Sequence, residues 1–103
     1  MSGPLYCRKM ELKKIFGRNE DIVFREEDEG AFLFDPDTGD LKYMNLSGKE
    51  AFLMLDGERD LEEITGHMLE LYPQAEPEQV RKDLEIFIKD LEEKNFIRPL
   101  HQK

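Results

Sequence analysis

The chain has no tryptophan, a single cysteine and two histidines among its 103 residues. Lone Cys7 has no partner for an intrachain disulfide, which fits a reducing cytoplasm, and a cytoplasmic location is the expectation. With so few thiols and imidazoles, and neither H-E-x-x-H nor C-x-x-C spacing, a zinc or iron site has too few ligands. No cofactor is expected. No apolar run approaches the roughly 18 residues of a membrane span, and the N-terminus lacks the apolar central region of a secretory signal. Glycine-rich phosphate fingerprints are missing as well. No nucleophile is paired with a base and an orienting acid, so the chain reads as non-enzymatic.

What is present is charge, mostly of one sign. Net charge is -9, with 15 basic against 24 acidic residues. Residues 1–19 run the other way, with Arg8, Lys9, Lys13, Lys14 and Arg18 against Glu11 alone. The remainder is therefore strongly acidic and repels phosphate backbones, which argues against a nucleic-acid partner. Ten per cent aromatic residues and abundant Leu and Ile indicate one folded domain with a modest core.

Residues 1–19 read as a basic N-terminal arm. Leu5, Leu12, Ile15 and Phe16 fall near one face of a short amphipathic helix that Gly17 would end, with a frayed tail as the alternative. Asp21 to Arg25 reads as a strand. The run AFLFDPDTGDLKYM reads as a β-hairpin, with Pro36 in the turn and Gly39 supplying a positive φ. Ala31 and Leu33 alternate with Phe32 and Phe34, and Lys42 and Met44 with Leu41 and Tyr43, so both faces carry apolar groups. Something is expected to cover part of the second face: the arm, another subunit or a ligand.

The acids Asp35, Asp37 and Asp40 superficially resemble a calcium loop. The glycine comes one place early and Leu46 stands where a bidentate Glu is needed, so a solvated turn is the reading. Three helices follow. Ser47 with Glu50 forms a capping-box pattern for the first, which Gly57 would end. Asp60 with Glu63 opens the second, which Pro73 stops. The third starts near Pro77, carries Val80, Leu84, Phe87 and Leu91 on one face with Ile88 at its edge, and ends at Asn95 in a left-handed cap. Phe96 and Ile97 then leave as an extended tail. The expected fold is α+β and winged-helix-like: a three-stranded antiparallel sheet followed by three helices, with residues 20–98 as the domain and 99–103 as a tail.

FREEDEGAFLFDPDTGDLKYMNLSG, then AFLMLDG, DLEEI and KNFI, resemble in order the PqqD family, the recognition elements of ribosomally made, modified peptides. Asn95 departs from the glycine usual there, and the arm before Asn19 is not a general feature. The resemblance implies a binding protein. A precursor's leader peptide would add as a strand beside the last strand of the sheet, facing the final helix, and be presented to a radical-SAM or other peptide-modifying enzyme. By position, the strand wall would be Leu41, Lys42, Tyr43 and Met44, and the helix wall Arg81, Lys82, Leu84, Glu85 and Ile88. Arg81 and Lys82 would meet leader carboxylates.

Two rivals compete with this reading. One is a winged-helix DNA-binding regulator reading with the third helix, whose outward Lys82 and Lys89 are offset by Asp83, Asp90 and Glu92. The other is a structural subunit, a homodimer formed through the second apolar face.

Overall fold

The computed structural model describes residues 13–100. Strand β1 (Phe16–Arg18) is followed by β2 (Val23–Glu27), β3 (Gly30–Phe34) and β4 (Leu41–Asn45), then by α1 (Leu46–Leu53), α2 (Leu61–Leu71) and α3 (Pro77–Glu93), and finally by β5 (Ile97–Pro99). The expected three-stranded antiparallel sheet is β2-β3-β4, with three helices after it. A second, two-stranded sheet joins β1 to β5, and so ties residues read as arm to residues read as tail.

The hairpin closes as its residues dictate. Asp35 N–H donates to the Asp40 carbonyl at 2.9 Å, and Gly39, at φ 83°, donates to the Asp35 carbonyl at 2.7 Å. This is the one-residue bulge that a positive-φ glycine permits. The Asp35 carboxylate accepts from Asp37 N–H at 2.9 Å, which commits it to the turn. The preceding strand begins two residues later than expected, at Val23, and takes in Glu26 and Glu27 from the predicted acidic loop.

Helix α1 is capped differently from the expectation. Asn45, not Ser47, is the N-cap: its Oδ1 accepts from Gly48 N–H at 2.9 Å and from the Ser47 hydroxyl at 3.1 Å. Asn presents a suitable acceptor earlier, so β4 runs directly into the helix. Glu50 is then not needed in a capping box and instead accepts from Tyr72 Oη at 2.7 Å. The helix also stops at Leu53, short of Gly57, which takes φ 85° in the loop beyond. Helix α2 has the expected reciprocal box, with Glu63 N–H to Asp60 Oδ1 at 2.8 Å and Asp60 N–H to Glu63 Oε1 at 2.9 Å. Beyond α3, Asn95 adopts φ 62°, the left-handed turn that sends Phe96 back into the body.

The helical reading of Ile15 and Phe16 does not hold; Leu5 and Leu12, its other members, lie outside the described residues. Ile15 bridges to Asp60, and Phe16 opens β1. Tertiary burial overrides the local helical period here, because Phe16 is only 1% exposed. Gly17 caps no helix; it permits close packing, since a Cβ there would sit 3.0 Å from Leu100 Cδ1. Arg18 donates to the Phe52 and Leu53 carbonyls at 3.3 and 2.9 Å, satisfying the C-terminal end of α1 with a cation.

One core serves the whole molecule. Ala31, Leu33 and Met44 from the sheet meet Ala51 and Phe52 of α1, Ile64 and Met68 of α2, and Leu84, Ile88 and Leu91 of α3. Phe16, Phe96 and Ile97 join the same cluster. Each of the Leu, Ile, Phe and Met side chains contributes on the order of 1.5–3 kcal/mol by leaving water, and the two alanines less. The sheet's other face stays open among the described residues.

Candidate functional site

Strand β4 lies at the edge of its sheet, with β3 on one side and no described strand on the other. The turn fixes which of its main-chain groups are free. Asp35 directs both its N–H and its C=O toward the returning strand, and bonded and non-bonded pairs alternate in an antiparallel ladder. Lys42, opposite Leu33, and Met44, opposite Ala31, are therefore the residues that bond to β3. Leu41 and Tyr43 point their N–H and C=O groups outward, along the free edge.

Beside that edge runs a groove of about 560 Å³ between β4, the start of α1 and the helices α2 and α3. Its floor and walls are largely apolar: Met44, Ala51, Met68, Val80, Leu84 and Phe87 all contribute. Gly48 lets the start of α1 come close, since a Cβ there would meet Met44 Cβ at 3.2 Å and Phe87 Cε1 at 3.6 Å.

The polar side chains that line the groove are already engaged. Lys42 crosses from β4 to α3, with Nζ 2.8 Å from Asp90 Oδ2 and 5.9 Å from the centroid of the Phe87 ring. The hydrogen bond from Lys42, and then that from Lys94 at 2.8 Å, hold the Asp90 carboxyl below the usual carboxylate range. Asn45 caps α1 with the Ser47 hydroxyl donating to it. Tyr72 donates to Glu50, which pushes its phenol up from the ordinary value. Asp83 accepts from Gln79 Nε2 at 2.8 Å. What remains on offer is apolar wall and a row of main-chain donors and acceptors, a surface suited to holding an extended chain.

Of the residues expected from the sequence, Lys42, Tyr43, Met44 and Leu84 line the groove; Leu41, Arg81, Lys82, Glu85 and Ile88 do not. Leu41 supplies edge main chain but turns its side chain to the opposite face. Arg81 bonds Glu78 at 2.7 Å and Glu85 at 2.8 Å, so both it and Glu85 are occupied within α3. Lys82 is exposed, and Ile88 is fully buried.

The buried stripe of α3 is Leu84, Ile88 and Leu91, rotated from the one drawn on the sequence, while Val80 and Phe87 are half-buried at the groove. Sequence reasoning missed those two as wall residues, and it also missed Met68 and Tyr72 on the far side. Val80 and Phe87 lie seven apart, on one helical face. That spacing was visible, but nothing in it told a groove wall from a core stripe.

Among the described residues no helix is long and apolar enough to cross a membrane. Residues 30–97 match the family model described as coenzyme PQQ synthesis protein D (PqqD). No curated protein matches the chain. Among solved structures, the chain is similar to one described as TbiB1 in complex with the TbiA(beta) leader peptide, at TM-score 0.70 and 21% identity. That similarity covers 79% of this chain and 93% of the other. At such identity it is a likeness of fold.

Proposed function

Since the chain belongs to the PqqD family, we propose that it is a non-catalytic peptide-binding chaperone that captures the leader segment of a ribosomal precursor peptide by strand addition. The observation that carries this reading is the free edge of β4, open at Leu41 and Tyr43 and backed by the apolar groove. A leader peptide bound to TbiB1, a protein of the same fold, supports a ligand of this kind. Main-chain bonds along the edge give affinity with little demand on sequence, and alternate side chains entering the groove give selectivity. The domain then presents the captured peptide to a modifying enzyme, for which a radical-SAM protein is the proposed class.

The leader peptide of a precursor encoded beside this chain is expected to bind with a Kd of about a micromolar or tighter. Tyr43→Pro tests the mechanism cleanly. The Tyr43 N–H points out of the sheet, so proline there removes an edge donor while leaving the β3–β4 ladder whole. Titration calorimetry should show affinity falling several-fold, up to about ten-fold, the effect of one lost hydrogen bond. Tyr43→Thr, which keeps the donor, controls for the ring. A Tyr43→Pro protein that is folded and binds as tightly as Tyr43→Thr would remove strand addition.

A further inference from the structure

The face of the sheet turned away from the helices carries apolar side chains in an ordered way beside the Arg25–Glu27 ion pair. The register places Val23, Phe34 and Leu41 in one cross-strand row and Arg25, Phe32 and Tyr43 in another. Val23 is 50% exposed, Phe34 39%, Leu41 62% and Tyr43 53%. Tyr43 has an internal reason to be there. Its ring packs on Phe32 with centroids 5.1 Å apart, and it covers Gly30, where a Cβ would lie 2.8 Å from the Tyr43 hydroxyl. Among the described residues, the row Val23, Phe34 and Leu41 has no comparable covering group, and it ends at the edge of β4.

We infer that this outer row is a second recognition surface for the same bound strand, and that the peptide taken up carries an unbroken run of apolar residues in place of an apolar–polar alternation. The inference rests on the strand-addition reading above. Cross-strand partners share a face, and neighbours along a strand point to opposite faces. In a strand added to β4, the residues opposite Lys42 and Met44 therefore turn into the groove, and those opposite Leu41 and Tyr43 turn outward, the first beside the exposed row and the second beside the Tyr43 ring. Both environments are largely apolar. An apolar outward residue shields Leu41 and lengthens the row past the edge, whereas a polar one leaves Leu41 in water. The peptide thereby covers apolar side chains that the described residues leave exposed.

Short random linear peptides displayed on phage, panned on the full chain, provide the test. Peptides enriched on the wild type, and not on Tyr43→Pro, should share an uninterrupted apolar run. Panning on a Phe34→Thr/Leu41→Thr variant should yield apolar residues alternating with polar ones. Threonine suits a strand, and circular dichroism checks the fold; if the double variant does not fold, Leu41→Thr alone, at the most exposed position, replaces it. A synthetic peptide carrying the enriched run should bind Leu41→Thr about five-fold more weakly, as for the loss of one cross-strand apolar pair. Strict alternation already present in wild-type-selected peptides would overturn the inference while leaving strand addition standing. Enrichment on Tyr43→Pro equal to that on the wild type would overturn both. A wild-type dimer that becomes monomeric in the double variant during sedimentation, with the selected pattern unchanged, would assign the row to a second copy of the chain and overturn the inference.

Discussion

The two sheets of this small protein treat their backbone in opposite ways. In the β1–β5 sheet nearly everything is taken. Phe16, Phe96 and Ile97 are buried in the core. Around the strands, Gly57 N–H donates to the Phe16 carbonyl, Asn19 N–H to that of Phe96 and Leu100 N–H to that of Ile15. In the larger sheet, β4 leaves a row of main-chain groups open beside a groove. The contrast teaches that cohesion and recognition sit in different parts of the chain, so that substitutions should separate into those that cost stability and those that cost binding.

The largest expected effect lies in the closed sheet. Phe16→Ala should lower unfolding free energy by about 3–5 kcal/mol through loss of a buried ring and the cavity left behind, read from urea denaturation. Leu41→Thr on the open strand should stay within about 0.5 kcal/mol of wild type in the same assay. Equal losses would erase the distinction.

A sharper version uses neighbouring positions on one strand. Met44→Pro removes an N–H that bonds to β3 and also deletes a core side chain, and should cost about 3 kcal/mol or more. Tyr43→Pro should cost far less stability, because its N–H faces outward, and should act on peptide affinity. If the two prolines destabilise alike, the outward assignment of Tyr43 is wrong.

Smaller effects follow at the joints between the regions. Arg18→Met removes the donor to the carbonyls ending α1 and should cost about 1 kcal/mol of stability. At the Lys42–Asp90 contact the sign follows from the depressed carboxyl. Its contribution is full above the ordinary carboxyl value of 3.8 and is lost as pH falls through the lower folded value. The stability gap between wild type and Asp90→Asn should therefore narrow as the solution is acidified below about pH 4. A gap that is constant across that range would mean the carboxylate charge contributes nothing there.

Much of the larger sheet was legible because its signals are local. Asp35, Pro36 and Gly39 specify their turn within a few residues, Asp60 and Glu63 cap each other, and Asn95 is one of the few side chains that tolerate a positive φ. The free edge on DLKYM followed from the same hairpin together with the family resemblance. What was hidden depends on partners remote in sequence. Strand β1 is three residues long, too short to show a period, and it exists because β5, some eighty residues away, pairs with it. The choice between Phe87 and Ile88 as wall residue was equally out of reach. Adjacent apolar positions fit the same helical stripe, and only the placement of β4 and α2 decides which one faces the groove. The Asn45 cap was available locally but was outcompeted by the S-x-x-E pattern two residues on.

Pairing Phe16 with Pro99 brings the two ends of the described segment side by side, at the roughly 5 Å spacing of neighbouring strands. A short glycine-rich tether could therefore join residue 14 to residue 100 without distorting either strand, and the polypeptide could be reopened elsewhere as a circular permutant. The same proximity means that cargo fused directly to residue 14 or to residue 100 would leave from one spot on the surface, which makes the two attachment sites interchangeable in a hybrid protein.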